Sequence, residues 1–194
     1  MREASSLYGF AGVRAEESVF DNAGRKIKHR YKWLMINLGT AFLASTIVSL
    51  FDETISKYVL LAVYMPVVAG MGGNAGTQTL AVLVRGISMN QITLKTMWRT
   101  LKNELGSGFV NGAINGAIIT GIVFLKDGDW RIGLILALAM SVNLVIAGFF
   151  GTIVPLVMKR LGKDPASSAT VFITTATDIF GFLTFLGLAT LILS

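Results

Sequence analysis

The sequence has 194 residues, of which 53% are hydrophobic and 14% are charged, and its mean hydropathy is +0.66. Soluble domains carry about 25% charged residues, so this composition excludes an ordinary soluble protein and indicates a membrane protein. Cysteine is absent and histidine occurs once, which excludes a disulfide framework, a thiolate metal site and a zinc cluster.

The N-terminal segment, residues 1–32, mixes apolar side chains with many charges. This composition is typical of a cytoplasmic or interfacial helix rather than of a folded domain. The first apolar run starts only after Tyr31, so we expect no cleaved signal peptide, and the first span itself should target the chain to the membrane. Residues 33–194 are predicted to form one transmembrane domain.

Apolar windows long enough to cross a bilayer predict five transmembrane helices and an all-α fold. They cover Trp33–Phe51, Ile55–Val84, Leu105–Leu125, Ile132–Met158 and Thr170–Leu193. The second and fourth windows exceed the usual span length and contain Pro66 and Pro155, so these helices should tilt, bend or extend past the bilayer.

The distribution of basic residues predicts the orientation, because lysine and arginine stay on the cytoplasmic side. One side of the membrane collects most of them: Arg2, Arg14, Arg25, Lys26, Lys28, Arg30, Lys32, Arg85, Lys95, Arg99, Lys102, Lys159, Arg160 and Lys163. The other side has only Lys57, Lys126 and Arg131. The N-terminus is therefore predicted to be cytoplasmic and the C-terminus external. This asymmetry accounts for the formal net charge of +6 without nucleic-acid binding.

The second span contains small and polar residues where lipid would favour leucine. They recur at helical spacing and so share one helix face: Gly70, Gly73, Asn74, Thr77, Gln78 and Ala81. Glycine lets a helix, an ion or water approach the backbone, and the two amides supply oxygen atoms. Pro66 lacks an N–H, so a carbonyl near Ala62 is expected to lose its helical partner, which is tolerated beside a wet cavity.

Spans three and four contain residues that are typical of helix packing. Gly108, Gly112 and Gly116 form a small-residue face that favours close contact between helices. Asn111, Asn115 and Asn143 are interpreted as groups that form hydrogen bonds between helices.

The fifth span contains Asp178, the one ionisable residue that we place deep in a predicted span. An acidic side chain at that depth is costly, so it indicates a functional site facing a cavity or the bundle interior. Its helix face is polar or small throughout: Thr170, Thr174, Thr177, Asp178 and Gly181.

The oxygen chemistry of these two faces suits a hard cation, because neither sulfur nor imidazole is present. Mg²⁺ keeps much of its water shell, so a few protein oxygens suffice for it, whereas Ca²⁺ usually needs six to eight. Two chains related by a two-fold axis would place two Asp178 carboxylates on one path. These observations predict a cation pathway with a preference for divalent ions.

Three stretches give the chain a resemblance to a known family. They are P-V-V-A-G-M-G-G-N-A-G-T-Q (Pro66 to Gln78), N-L-V-I-A-G-x-x-G-T-x-x-P (Asn143 to Pro155) and D-P-A-S-S-A-T-V-F-I-T-T-A-T-D-I-F-G-F (Asp164 to Phe182). With these motifs, the chain from about Arg25 onwards resembles the membrane domain of the MgtE family of magnesium channels and transporters.

The resemblance implies a homodimer of five-helix subunits in the plasma membrane, with residues 33–194 as the pore domain. Helices two and five would form the ion path, and Asp178 would hold a largely hydrated Mg²⁺. The Thr174 backbone carbonyl would be a second contact for the ion, and Thr177 would belong to the same group of metal-site residues. Helix two would line or shape the path through Gly70, Gly73, Asn74 and Gln78. Family members also have cytosolic N-terminal and CBS domains, and residues 1–32 resemble at most their connecting plug helix.

The leading hypothesis is thus a Mg²⁺ channel or facilitated transporter that is not an enzyme. The alternative is a secondary divalent-cation transporter in which Asp178 binds the Na⁺ or H⁺ that drives exchange. A third hypothesis is a membrane scaffold with a structural polar core.

Overall fold

The computed structural model describes residues 18–92, 94–162 and 165–193, and this part of the chain is helical without a strand. In chain order the helices are α1 (Ala23–Ser49), α2 (Asp52–Lys57), α3 (Leu60–Ser88), α4 (Leu94–Asp127), α5 (Trp130–Arg160) and α6 (Pro165–Leu193). The all-α prediction is therefore confirmed.

Local sequence sets several helix ends. Asn22 caps α1, because its Oδ1 accepts a hydrogen bond from the Arg25 amide at 2.9 Å, and Asp129 caps α5 through the Arg131 amide at 2.9 Å. Gly128 has a φ of +71° between α4 and α5, a left-handed conformation that favours glycine. The long antiparallel helices are therefore joined there by a tight turn.

Four of the described helices, α3 to α6, are long and apolar enough to cross a membrane. They contain predicted spans three to five and most of span two, whose first residues, 55–59, lie in the short α2 and in the link to α3. The first predicted span lies mostly in α1, whose early turns are basic as far as Lys32 and whose apolar part ends with the helix at Ser49. A fifth span thus stays a prediction. The proposed boundary between residues 32 and 33 falls inside α1, which is continuous there.

Helix α5 occupies the centre, packed against α3, α4 and α6, and α1 packs against α6. The main core cluster joins α3, α5 and α6 through side chains with almost no exposure: Leu61, Val68, Ile135, Leu136, Phe185 and Leu186. Pro66 and Pro155 lie inside their helices, so α3 continues past Pro66 and α5 past Pro155.

The seam between α4 and α5 is made by glycines. A Cβ added to Gly108, Gly112 or Gly116 would lie 2.5, 2.4 or 2.8 Å from the backbone of α5. The predicted role of these three residues in packing is confirmed. Lipid is as apolar as a leucine side chain, so contact at this range, rather than the hydrophobic effect, holds such helices together.

Asn143 joins three helices at one level. Its Nδ2 on α5 donates to the Val68 carbonyl on α3 at 2.9 Å, as predicted for an interhelical group. Gly72 on α3 and Gly181 on α6 make room for the carboxamide, since a Cβ at either position would lie within 3 Å of it. The same prediction was wrong for Asn111 and Asn115, whose side-chain amides donate within α4.

Candidate cation site

Asp178 is placed near the middle of α6, about 20 Å along the axis from either end at 1.5 Å per residue. The side chain is half-buried. It forms neither a hydrogen bond nor an ion pair with any described residue. An ionised carboxylate only accepts hydrogen bonds, so at this depth it requires water or a cation.

The carboxylate lines a cavity of about 340 Å³ between α1 and α6. Asn37, Thr40, Trp33 and Ala41 contribute the α1 side of this Asp178 cavity. The α6 side consists of Thr170, Val171, Thr174, Thr175 and Asp178. No basic residue is among the described lining residues, so the cavity is acidic and rich in oxygen.

The hydroxyl groups of the cavity are oriented by their own helices. Thr174 Oγ1 donates to the carbonyls of Thr170 and Val171 at 3.0 and 3.1 Å, and Thr175 Oγ1 donates to Val171 at 2.6 Å. On α1, Thr40 Oγ1 donates to the Asn37 carbonyl at 2.9 Å. Because their hydrogens are used within the helices, the oxygens present lone pairs to the cavity, an arrangement suited to a cation or its bound water.

The predicted polar face of α6 is divided by the packing. Thr170 and Thr174 join Asp178 in the cavity, whereas Thr177 is fully buried and its hydroxyl donates to the Thr174 carbonyl at 2.9 Å. Gly181 packs against Asn143. The side chain of Thr174 therefore faces the cavity, while the carbonyl that the resemblance singled out already accepts a hydrogen bond.

The predicted face of α3 points mostly outward from the single chain. Gly70, Asn74 and Gln78 are exposed, and a Cβ added to Gly70 would meet nothing within 4 Å. Gly73 is the exception, since its added Cβ would lie 3.7 Å from Thr174 Cγ2. The two motifs thus meet at Gly73 and Thr174, but none of these four α3 residues is among the described lining of the Asp178 cavity.

The close contacts of α3 come instead from the adjoining face. A Cβ on Gly76 would lie 2.4 Å from Ile173 Cγ2, and Gly72 is equally close to Asn143. Gly72 and Gly76 do not belong to the α3 face that was predicted from sequence spacing, yet they bring α3 against α5 and α6.

The sequence did not lead us to predict the α1 side of the Asp178 cavity. Trp33, Asn37, Thr40 and Ala41 recur at helical spacing and line the same cavity. This periodicity was visible in the sequence, but it indicates only a shared face and does not identify the helix that it meets.

Glu104 lies inside a long apolar helix, although the predicted third span left it out. Helix α4 begins at Leu94, well before the predicted window at Leu105, so Glu104 lies inside it. Thr79 Oγ1 on α3 donates to Glu104 Oε2 at 2.8 Å. Glu104 and Gln78 line a second cavity of about 150 Å³. This cavity is separate from the one at Asp178.

Comparison with known proteins places these features in a family. A family model named MgtE and described as a divalent cation transporter matches residues 65–188, which include Asp178 and the whole of the α3 motif from Pro66 to Gln78. The chain is 32% identical over 191 residues to the magnesium transporter MgtE of Bacillus subtilis and 33% identical over 190 residues to that of Enterococcus faecalis. These alignments cover 98% and 97% of this chain.

A third relative, the magnesium transporter MgtE of Thermus thermophilus, is 30% identical over 168 residues, or 84% of this chain. The chain spans 42% of the length of the first two relatives and 36% of the third.

Proposed function

The chain belongs to the MgtE family of divalent cation transporters, and from this premise we propose that two copies form a path for Mg²⁺ with Asp178 as its binding residue. It is a multi-pass protein of the plasma membrane. The observation that supports the proposal most strongly is the Asp178 carboxylate, which lies at mid-helix without a hydrogen-bond or ion-pair partner among the described residues.

Mg²⁺ is the proposed ion because the cavity offers few protein ligands and ample room. A volume of about 340 Å³ accommodates a cation together with bound water. Mg²⁺ gives up its water reluctantly and is commonly held through one or two carboxylates. Asp178 supplies the charge, and Asn37, Thr40 and Thr174 supply neutral oxygens for the surrounding waters.

A second copy of the chain is proposed because the α3 face would be poorly suited to lipid. Asn74 is exposed there beside the open surface at Gly70. Amide groups left without partners in hydrocarbon cost several kcal/mol, which favours a protein or water-filled environment for this face. In a two-fold dimer the outward face of α3 would line the path between subunits, and α1 would serve as the fifth span.

Uptake measurements test the role of Asp178 directly. In cells that lack other magnesium importers, Asp178→Ala and Asp178→Asn should reduce Mg²⁺ uptake to background, because both remove the carboxylate charge. Asp52→Asn, which alters an exposed acid on α2, is the matched control and should support full uptake. Full uptake by Asp178→Ala at equal membrane abundance would refute the assignment.

Flux into liposomes distinguishes a channel from the coupled transporter. Dependence of Mg²⁺ entry on its own gradient and on voltage alone supports the channel. A requirement for an imposed Na⁺ or H⁺ gradient would contradict the channel and support the coupled transporter, in which the same carboxylate binds the driving ion.

A further inference from the structure

A second acidic cavity lies between α3, α4 and α5, apart from the one at Asp178. It has a volume of about 150 Å³, room for several water molecules. Its polar lining consists of Gln78, Thr79, Glu104, Ser107 and Asn111. No lysine or arginine is among the described residues that line this Glu104 cavity.

Glu104 is held in position without being neutralised. The Thr79 hydroxyl donates to Oε2 at 2.8 Å, and within the described ranges Glu104 forms no ion pair and no further hydrogen bond. One neutral donor orients a carboxylate but leaves its charge uncompensated. The second oxygen of Glu104 is therefore available to the cavity.

The neighbouring amide group adds acceptors rather than donors. Asn111 Nδ2 donates to Ser107 Oγ at 3.2 Å, which leaves Asn111 Oδ1 as the accepting end of that carboxamide. Gln78, exposed on α3, presents a second carboxamide. A carboxylate with amide and hydroxyl oxygens is a ligand set for a hard cation that retains water.

The Glu104 cavity lies at a different depth in the membrane from the Asp178 carboxylate. Glu104 lies about 35 Å along α4 from Asp127, at 1.5 Å per residue, which exceeds the hydrocarbon thickness of about 30 Å. In the orientation predicted from the basic residues, Asp127 is external, so Glu104 lies near the cytoplasmic boundary. Asp178, at the middle of α6, lies deeper in the membrane.

We propose that the Glu104 cavity is a second divalent-cation site, on the cytoplasmic side of Asp178, where Glu104 binds the hydrated ion with help from Gln78 and Asn111. The choice of Mg²⁺ as its natural ligand rests on the proposed function. Helix α3 connects the two sites, because Gln78 lines one cavity while Gly73 contacts Thr174 beside the other.

Binding of Mn²⁺ as a paramagnetic substitute for Mg²⁺ tests the site without measuring transport. The purified chain in lipid nanodiscs is titrated with Mn²⁺, and bound ion is counted by electron paramagnetic resonance. Two classes of site are expected in the parent protein. Glu104→Gln should lose one class, with affinity lowered at least tenfold, while retaining an oxygen that accepts from Thr79. Glu53→Gln, an exposed acid on α2, should keep both classes.

The outcomes separate this proposal from the proposed function. Asp178→Asn should lose the class that Glu104→Gln retains; if it loses none, the proposed function fails while the Glu104 site stands. Retention of both classes by Glu104→Gln, or displacement of the Glu104-dependent class by Na⁺ as readily as by Mg²⁺, overturns the present inference. If Glu104→Gln does not fold, Gln78→Ala and Asn111→Ala should each weaken the same class severalfold, and unchanged affinity in both overturns it.

Discussion

Gly112 offers the sharpest test of how the helices are held together. Alanine at this position would place a Cβ 2.4 Å from Ser141 Cα, whereas ordinary Cβ contacts begin at 3.4 Å. The atom that it meets belongs to the backbone, so relief requires α5 to move away by about 1 Å, and that movement would loosen the seam at Gly108 and Gly116 as well.

Gly121 is the matched control on the same helix. Its added Cβ would meet nothing within 4 Å, so Gly121→Ala changes the helix without changing a contact. Both substitutions gain up to about 1 kcal/mol from the higher helix propensity of alanine. Overpacking at Gly112 costs about 1 to 3 kcal/mol, and this cost should appear as the difference between the two variants.

Reversible unfolding of the purified protein in mixed micelles, with increasing dodecyl sulfate and helix content as the signal, measures this difference. We expect Gly121→Ala to unfold at the same or a higher denaturant fraction than the parent and Gly112→Ala at a lower one. Equal free energies of unfolding for the two variants would show that the α4–α5 seam tolerates a methyl group, and the close-packing argument would be wrong.

Two further predictions concern the Asp178 cavity and the end of α3. Asn37→Ala should weaken the apparent affinity for Mg²⁺ in liposome flux about two- to tenfold, which is the value of one hydrogen bond to bound water. Asn115→Ala is the control and should leave the affinity unchanged, because its side chain donates within α4. Equal effects of the two substitutions would show that α1 does not contribute to the site. Tyr64 donates its hydroxyl to Asp127 Oδ2, so Tyr64→Phe should lower the free energy of unfolding by about 1 kcal/mol. In a double-mutant cycle, Asp127→Asn should couple with it, and simple additivity would contradict the contact.

Hydropathy and periodicity predicted the helical fold, because apolar length and helical spacing are local properties of the chain. Four long apolar helices lie where spans two to five were expected, and the glycines of α4 pack as predicted. The ends of the helices were harder to predict from the sequence. Hydropathy falls at Glu104 and the basic residues before it, although the backbone continues as helix from Leu94.

Pairings between helices could not be read from spacing. The pattern at Gly70, Gly73 and Asn74 identified a shared face, yet only Gly73 contacts α6, and Gly72 and Gly76 provide the closest approach of α3 to its neighbours. The Thr79–Glu104 hydrogen bond joins residues on different helices, and neither residue alone signals it. Those pairings depend on how side-chain volumes fit between helices, which is a property of the assembled bundle.

The Asn143 carboxamide has a mechanical consequence. It occupies the space between Gly72 and Gly181 and holds the Val68 carbonyl, so sliding α3 along α5 would break this hydrogen bond and move the carboxamide out of the space that the two glycines leave. The block of α3, α5 and α6 is therefore expected to move as one stiff piece. Relative movement is then expected at its edges, in α1, which packs against α6, and, in the proposed dimer, between the two copies.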